Sequence, residues 1–277
     1  MLKNCRLCGG SVTRLYPLKG IFSIYHCSAC NTDLTYPIPT LKEVEDSTDS
    51  LYFEAYNDPS IRDFKVVDLN KALEQINHKK VQSYLDVGCA KGFLVDYLLS
   101  KGVDAYGIEL FSEVAKLAQN SVGKDRIING DFEMYDFRRK FDLVTMFDLI
   151  EHVRDPLKTL KKARNVLNTG GYILIITPDI SSWKRKILKK FWTAYHLEHV
   201  NCFSCDSMKF IANESRLKLL RCTAFHKTVN LHYFIRQLAH KFPFLKDLRI
   251  LTKIPQINFD FTINDDSMLV VFKYVEQ

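Results

Sequence analysis

Residues 84–92, YLDVGCAKG, join two different hydrophobic periods. Upstream, Val81 to Val87 is a short apolar run that predicts a buried strand. Downstream, Phe93, Leu94, Tyr97, Leu98 and Leu99 recur at helical spacing. Between them, Gly88 and Gly92 predict a turn in which backbone can approach a ligand with no Cβ in the way. The helix that follows points its first free N–H groups into that turn. Asp86 ends the strand with a carboxylate, which suits an ammonium or a hydroxyl rather than a phosphate. The next apolar run, VDAYGIEL (103–110), predicts a second strand ending in Glu109, about 20 residues past the first glycine, where a nucleotide-binding βαβ unit places the acid for ribose hydroxyls.

Two kinds of cofactor use this geometry. A dinucleotide site needs G-x-G-x-x-G and no carboxylate at the position of Asp86. This loop is D-x-G-x-x-x-G and lacks the middle glycine that lets a pyrophosphate sit close. It resembles the cofactor loop of class I S-adenosylmethionine-dependent methyltransferases.

The 277 residues suffice for one full α/β domain with a substantial core and a small appendage. No apolar run approaches the roughly 18 residues that span a bilayer, and MLKNCRLCGG has no secretory h-region. A reducing, cytoplasmic setting is expected, in which the eight cysteines are thiols or metal ligands rather than disulfides. The net charge of +7 favours acidic partners: phosphorylated small molecules, nucleic acid or an anionic membrane.

Cys5-x2-Cys8 and Cys27-x2-Cys30 open the chain, and the residues between the pairs can form strands that bring both knuckles together. Four soft ligands in tetrahedral array suit Zn²⁺ and leave no open position, so residues 1–40 predict a structural zinc ribbon. A helical linker or lid is expected over 41–80, with Leu51, Tyr52, Phe53 and Tyr56 ahead of a helix over 60–77. The α/β domain then occupies 81–277, its cofactor half ending near Asp179. Within it, RIINGDF predicts a strand ending at Asp131-Phe132, and FDLVTMFDLIEHV a strand passing into a helix near Leu149. Ser112 is expected to cap one helix, and Asp155-Pro156 reads as an N-cap followed by an N1 proline. YILIITPD (172–179) is the most apolar strand. Continuous apolar strands alternating with helices mean a mainly parallel sheet covered on both faces.

Beyond Asp179 the alternation breaks. Residues 181–192 place Trp183, Ile187, Leu188, Phe191 and Trp192 on one helical face, with Lys184, Arg185, Lys186, Lys189 and Lys190 around the other. The basic stretch 184–190 is the expected contact with an anionic surface or phosphate, and residues 183–192 the expected peripheral contact with a membrane surface. YHLEHVNCFSCDS (195–207) is too polar for a core strand and opens a helix at Ser204 or Asp206. LKLLRCTAF and SMLVVFKYV predict strands, with a helix around His232 to His240 between them. Cys202 and Cys205 lack a partner pair and are expected to be ordinary thiols, and Cys89 is expected to be structural filler.

The resemblance to class I methyltransferases extends over most of residues 1–205 and implies a Rossmann-like, seven-stranded α/β fold. Residues 148–179 are similar to the corresponding run of ubiquinone-biosynthesis O-methyltransferases. The N-terminal cysteine module with a later E-H-V stretch is similar to sugar C-methyltransferases acting on nucleotide-linked deoxyketosugars. Carried over by position, Asp86, Gly88 and Gly92 would hold the methionine part and adjoining ribose, and Glu109 both ribose hydroxyls. Asp131 would accept from the adenine amino group, with Phe132 near the ring and Phe147 beside the sulfonium. Ala90 stands where the family often has glycine, at little cost if its φ is negative.

A sulfonium methyl is already electrophilic, so the enzyme must align it and, where needed, remove a proton. His199 with Glu198, and His196 before them, are the expected proton acceptors. Tyr56, Tyr195 and Asn201 are expected substrate contacts. Asp148, Glu151 and His152 would share one helical face and offer an alternative divalent-cation site, as the resemblance to quinone enzymes implies. The reading that results is methylation, at carbon or oxygen, of a small anionic acceptor such as a nucleotide-linked or lipid-linked sugar, with no nucleic-acid partner. A quinone-type O-methyltransferase at the membrane surface is the alternative. An RNA methyltransferase is disfavoured by Phe147-Asp148-Leu149-Ile150, where base-amino methylases carry N/D-P-P-Y. A non-catalytic adaptor is disfavoured by the intact Asp86, Gly88, Gly92 and Glu109.

Overall fold

The computed structural model describes residues 2–45, 60–230 and 260–276. At its centre lies β4 (Ser83–Val87), flanked on one side by β5 (Asp104–Glu109) and β6 (Ile127–Asn129). On the other side come β7 (Phe141–Phe147), β8 (Leu167–Pro178), β11 (Asp260–Lys273) and β10 (Lys218–Asn230), giving the order β10-β11-β8-β7-β4-β5-β6. The strands from β6 to β8 pair in parallel, and β11 runs antiparallel to both neighbours. This is the mixed, mainly parallel seven-stranded sheet expected of the fold class.

Period-two alternation sends successive side chains of the central strands to opposite faces. Leu174, Ile176, Leu269 and Val271 enter the cluster that also holds Leu69, Ala72, Leu94 and Ala118. That face is covered by α2 (Ser60–Leu73), α3 (Phe93–Ser100) and α4 (Ser112–Val122), which follow α1 (Leu41–Glu45) in the chain. Ile173, Ile175, Val270 and Phe272 enter the opposite cluster with Leu160, Ala163, Met208 and Ile211. There α5 (Pro156–Asn165) and α7 (Cys205–Ser215) pack. The Asp155 carboxylate accepts from Lys158 N–H at 2.9 Å ahead of Pro156, as the sequence predicts. Ser112 is instead the first helical residue of α4, after Phe111.

The N-terminal module is the antiparallel sheet β1 (Val12–Pro17), β2 (Ser23–Cys27) and β3 (Thr32–Tyr36). It borrows a fourth strand, β9 (Asn201–Cys202), from the far side of the chain. Cys5, Leu7, Cys27, Cys30 and Leu34 belong to the same core cluster as Phe203 and Met208. The module is thus packed into the domain rather than tethered to it.

Four expectations are corrected. Residues 148–154 form turns rather than a helix, because Asp148 takes a left-handed φ of +54° straight after β7, and helix resumes only at Pro156. The polar run 195–207 does contain a strand, β9; its buried polar groups are satisfied by the cysteine module, a partner too distant in sequence to show as periodicity. Cys205 is not a free thiol but bridges to Cys222. Their Cα atoms lie 5.7 Å apart, within the 4.4–6.8 Å that a bridge requires, because β10 returns beside the start of α7. Trp192 leaves the apolar face of 183–191: α6 (Trp183–Leu188) stops short of it, and its ring is 1% exposed. Tyr56, the aromatics near it and the 232–240 helix lie outside the described residues.

Candidate functional site

β4 carries Asp86 to the C-terminal edge of the sheet, and the turn after it bends against Glu109 at the end of β5. Gly88 and Gly92 have φ of +72° and +76°, conformations open to glycine without steric cost. Ala90 departs from expectation with a φ of +46°, where an L side chain costs about 1–2 kcal/mol. Glu109 braces that strained residue: its Oε2 accepts from Ala90 N–H and its Oε1 from Phe111 N–H, both at 3.0 Å. One carboxylate therefore fixes the turn and the start of α4, and each oxygen keeps lone-pair capacity for a ligand hydroxyl.

Asp86 and Glu109 are only 5% and 7% exposed. Asp86 Oδ1 accepts from Thr145 Oγ1 at 2.7 Å. Burial nonetheless outweighs that bond and raises the Asp86 pKa to about 6. Two buried acceptors beside a strained glycine turn fit a ligand that brings hydroxyls and an ammonium, as adenosylmethionine does, and repel a phosphate. Asn129 Nδ2 donates to the Glu109 carbonyl at 3.0 Å, and this holds the turn after β6 to the same edge. There Asp131 is exposed and accepts from Glu133 N–H at 2.8 Å, while Phe132 is buried 5.8 Å from Phe137. Phe147 ends β7, 8% exposed. Cys89 is buried, packed where a Cβ on Gly107 would stand 2.6 Å from its sulfur.

Asp148 does not join Glu151 and His152. Its two oxygens accept from Lys65 Nζ at 2.6 Å and Lys227 Nζ at 2.7 Å. Burial works to raise its pKa, but Lys227 and Lys65 hold it well below the usual carboxylate range. The turn sends Glu151 and His152 the other way, to meet His199. His199 Nδ1–H donates to Ala194 O at 2.9 Å, which leaves the Nε2 lone pair 4.0 Å from Glu151 Oε1. His152 Nδ1–H donates to Glu198 O at 3.1 Å, and the His152 and His196 rings lie 4.8 and 3.7 Å from that of His199. Burial first, then the neighbouring His196 and His152, push the His199 pKa well below its usual value. Burial raises that of Glu151, whose Oε2 accepts from Thr177 Oγ1 at 2.9 Å. One ligand atom from each of Glu151, His152 and His199 lies within 4.8 Å of the others, so the three could take a proton donor or a divalent cation.

A family model described as a methyltransferase domain matches residues 61–221. The chain belongs to that family. A ubiquinone biosynthesis O-methyltransferase of Aliivibrio fischeri is 28% identical over 173 residues, 60% of this chain and 74% of that one. One of Acinetobacter baylyi is 24% identical, over 54% and 70% of the two chains. Among solved structures, a putative methyltransferase of Bacillus halodurans superposes with a TM-score of 0.57 at 18% identity, covering 76% of this chain and all of that one. The plantazolicin methyltransferase BpumL, solved with a triazolic desmethylPZN analogue and SAH, superposes at a TM-score of 0.55 and 13% identity, over 82% of this chain and 90% of that one. The protein is an adenosylmethionine-dependent methyltransferase of Rossmann-like fold.

In this methyltransferase the cysteine module holds the loop that carries His199. Thr35 Oγ1 donates to His199 O at 2.8 Å, and Thr35 N–H to Val200 O at 3.0 Å. Arg6 donates to Thr35 O at 2.8 Å and to Val200 O at 2.7 Å. Asn201, 2% exposed, accepts from Arg6 and donates to Val153 O at 2.7 Å, so its amide is used within the protein. The Tyr195 hydroxyl likewise bonds Asp33 and Arg185, and Arg185 NH2 reaches Asp33 at 2.6 Å. Arg6, Asp33, Thr35 and Thr177 escape sequence reasoning, because each acts through a partner distant in the chain, and Arg185, expected at an anionic surface, instead pairs with the buried Asp33.

The four cysteine sulfurs lie within 4.8 Å of one another, with Cys5–Cys30 at 3.6 Å and Cys8–Cys27 at 3.4 Å. Leu7 and Gly10 N–H groups point at the Cys5 and Cys8 sulfurs at 3.3 and 3.4 Å, as donors to thiolates do. Tetrahedral zinc with Zn–S of about 2.3 Å would set sulfurs about 3.8 Å apart, so the array fits the ion.

Proposed function

We propose that this methyltransferase acts on a small anionic acceptor, of which a nucleotide-linked or lipid-linked sugar is the first choice, with His199 as general base. The observation that carries the reading is the state of His199. Its Nδ1–H is fixed on Ala194 O, its depressed pKa keeps the ring neutral, and its free Nε2 faces a buried carboxylate. Bound adenosylmethionine would supply a sulfonium methyl at the Asp86–Glu109 edge. His199 Nε2 would take the proton that the acceptor atom gives up on methylation. Glu151 stabilises the imidazolium that forms. Cys5, Cys8, Cys27 and Cys30 hold a structural zinc, and Arg6 and Thr35 carry its rigidity to the His199 loop. The net charge of +7 supports an anionic acceptor. No described helix is long and apolar enough to cross a membrane.

A second reading has an observation of its own. The Glu151, His152 and His199 cluster would hold a divalent cation that acidifies a phenol, and similarity to the ubiquinone O-methyltransferases supports a quinone-type acceptor. One experiment separates the two: transfer of labelled methyl to a nucleotide-sugar panel and a catechol panel, with and without chelator. His199→Ala is expected to lower turnover by about 10²–10⁴-fold with cofactor affinity nearly unchanged. Chelator-resistant methylation of sugars supports the first reading. Chelator-sensitive methylation of catechols supports the second. Full turnover of His199→Ala contradicts both.

A further inference from the structure

Helix α6 and the single turn after it have their polarity reversed. A surface helix of a globular protein turns its apolar stripe inward and its charges to water. Here the inward groups are cations. Arg185 reaches the buried Asp33, and Lys184 lies 3.7 Å from Asp266, which is 3% exposed and also accepts from Trp192 Nε1 at 2.9 Å. The outward groups are apolar: Trp183 is 58% exposed, Ile187 67%, Leu188 37% and Phe191 74%. Lys186, Lys189 and Lys190 are exposed among them. Bulky apolar side chains ringed by lysine match the interface of an anionic bilayer. Rings and aliphatic groups enter the headgroup boundary, while lysine stems lie along it and their ammoniums meet phosphates.

We propose that residues 183–191 are an interfacial anchor that seats this enzyme on an anionic phospholipid surface. The two ion pairs hold the segment in its binding shape, so docking loses little conformational freedom. The anchor leaves β8 at the same C-terminal sheet edge as Asp86 and Glu109, and it leads directly into the loop of His199. A docked enzyme therefore presents its acceptor side toward the membrane. The inference does not depend on which acceptor is methylated.

The chain has two tryptophans, and they make the test specific. Trp192 is 1% exposed, so a change in emission on adding vesicles reports Trp183. The full chain is mixed with phosphatidylcholine vesicles, or with vesicles containing a third phosphatidylglycerol, and bound protein is measured by flotation. Binding to the anionic vesicles with a blue shift in emission is expected, falling at least tenfold from low salt to 0.5 M salt as charges are screened. Trp183→Ser with Phe191→Ser changes two exposed side chains and is expected to bind at least tenfold more weakly while retaining adenosylmethionine affinity. Trp183→Phe should keep binding and lose the shift. Equal binding by the double variant overturns the proposal, as does no binding by the parent chain. Self-association that the double variant abolishes, without vesicle binding, also overturns it and makes the face a contact between copies.

Discussion

Asp86 offers a prediction with a magnitude set by the structure. Its carboxylate is 5% exposed with a pKa raised to about 6 by burial. A ligand that brings an ammonium or hydroxyl to it binds the ionised form. The free protein is then about 90% competent at pH 7 and about 10% at pH 5, so binding takes up the ionised fraction and releases a proton. The sign follows directly: affinity for adenosylmethionine falls as pH drops through 6, about tenfold between pH 7 and pH 5. The ligand's own carboxyl and amino groups titrate near 3.5 and 7.8, outside this window. Isothermal calorimetry at pH 5, 6 and 7, in buffers of different ionisation enthalpy, reads both the affinity and the proton released. Asp86→Asn should bind about 1.5–3 kcal/mol more weakly at pH 7, the range for hydrogen bonds to a charged group, and lose most of the pH dependence. An affinity that is flat from pH 5 to 7, or an equal slope in Asp86→Asn, would refute the placement of Asp86 at the ligand.

Three further predictions concern the cysteines and Thr35. One zinc per chain is expected by elemental analysis, lost in Cys27→Ser; a metal-free native protein would remove the assignment. Denatured, unreduced protein should titrate six thiols, rising to eight after reduction, because only Cys205 and Cys222 are bridged. Eight before reduction would exclude the bridge. Thr35→Val removes the bond to His199 O and leaves the strand pairing in place; it should cost about 1 kcal/mol of stability. It should also lower turnover more than it lowers adenosylmethionine affinity, and equal losses in both would mean that the module does not act through the His199 loop.

The sheet edge that carries Asp86 and Glu109 was legible because its signal is local. Strand, glycine turn, helix and the acid after the second strand follow one another within residues 81–109, and the two periods flanking Gly88 leave little choice of fold. What the sequence hid was long-range or conformational. Ala90 keeps a left-handed φ because Glu109 holds its N–H, which residue type does not reveal. Asp148, Glu151 and His152 have helical spacing, but Lys65 and Lys227 draw Asp148 one way while the turn draws Glu151 and His152 to His199. His199 itself was read from its chemistry. Its fixation on Ala194 O and its link to Thr35 appear only in the folded chain. The two-residue strand β9 is too short to carry a period, and its partner β3 lies about 170 residues earlier.

The proposed adenosylmethionine site is the turn between Asp86 and Glu109. Calorimetric titration of the parent chain and of Glu109→Ala tests it most directly. One adenosylmethionine per chain is predicted for the parent, with affinity about 1.5–3 kcal/mol lower in the variant because the acceptor for the ribose hydroxyls is gone. Glu109→Ala also releases Ala90 and Phe111 N–H, so its circular dichroism and melting must first show that the fold persists. No binding by the parent chain, or unchanged affinity in a folded Glu109→Ala, would contradict the account.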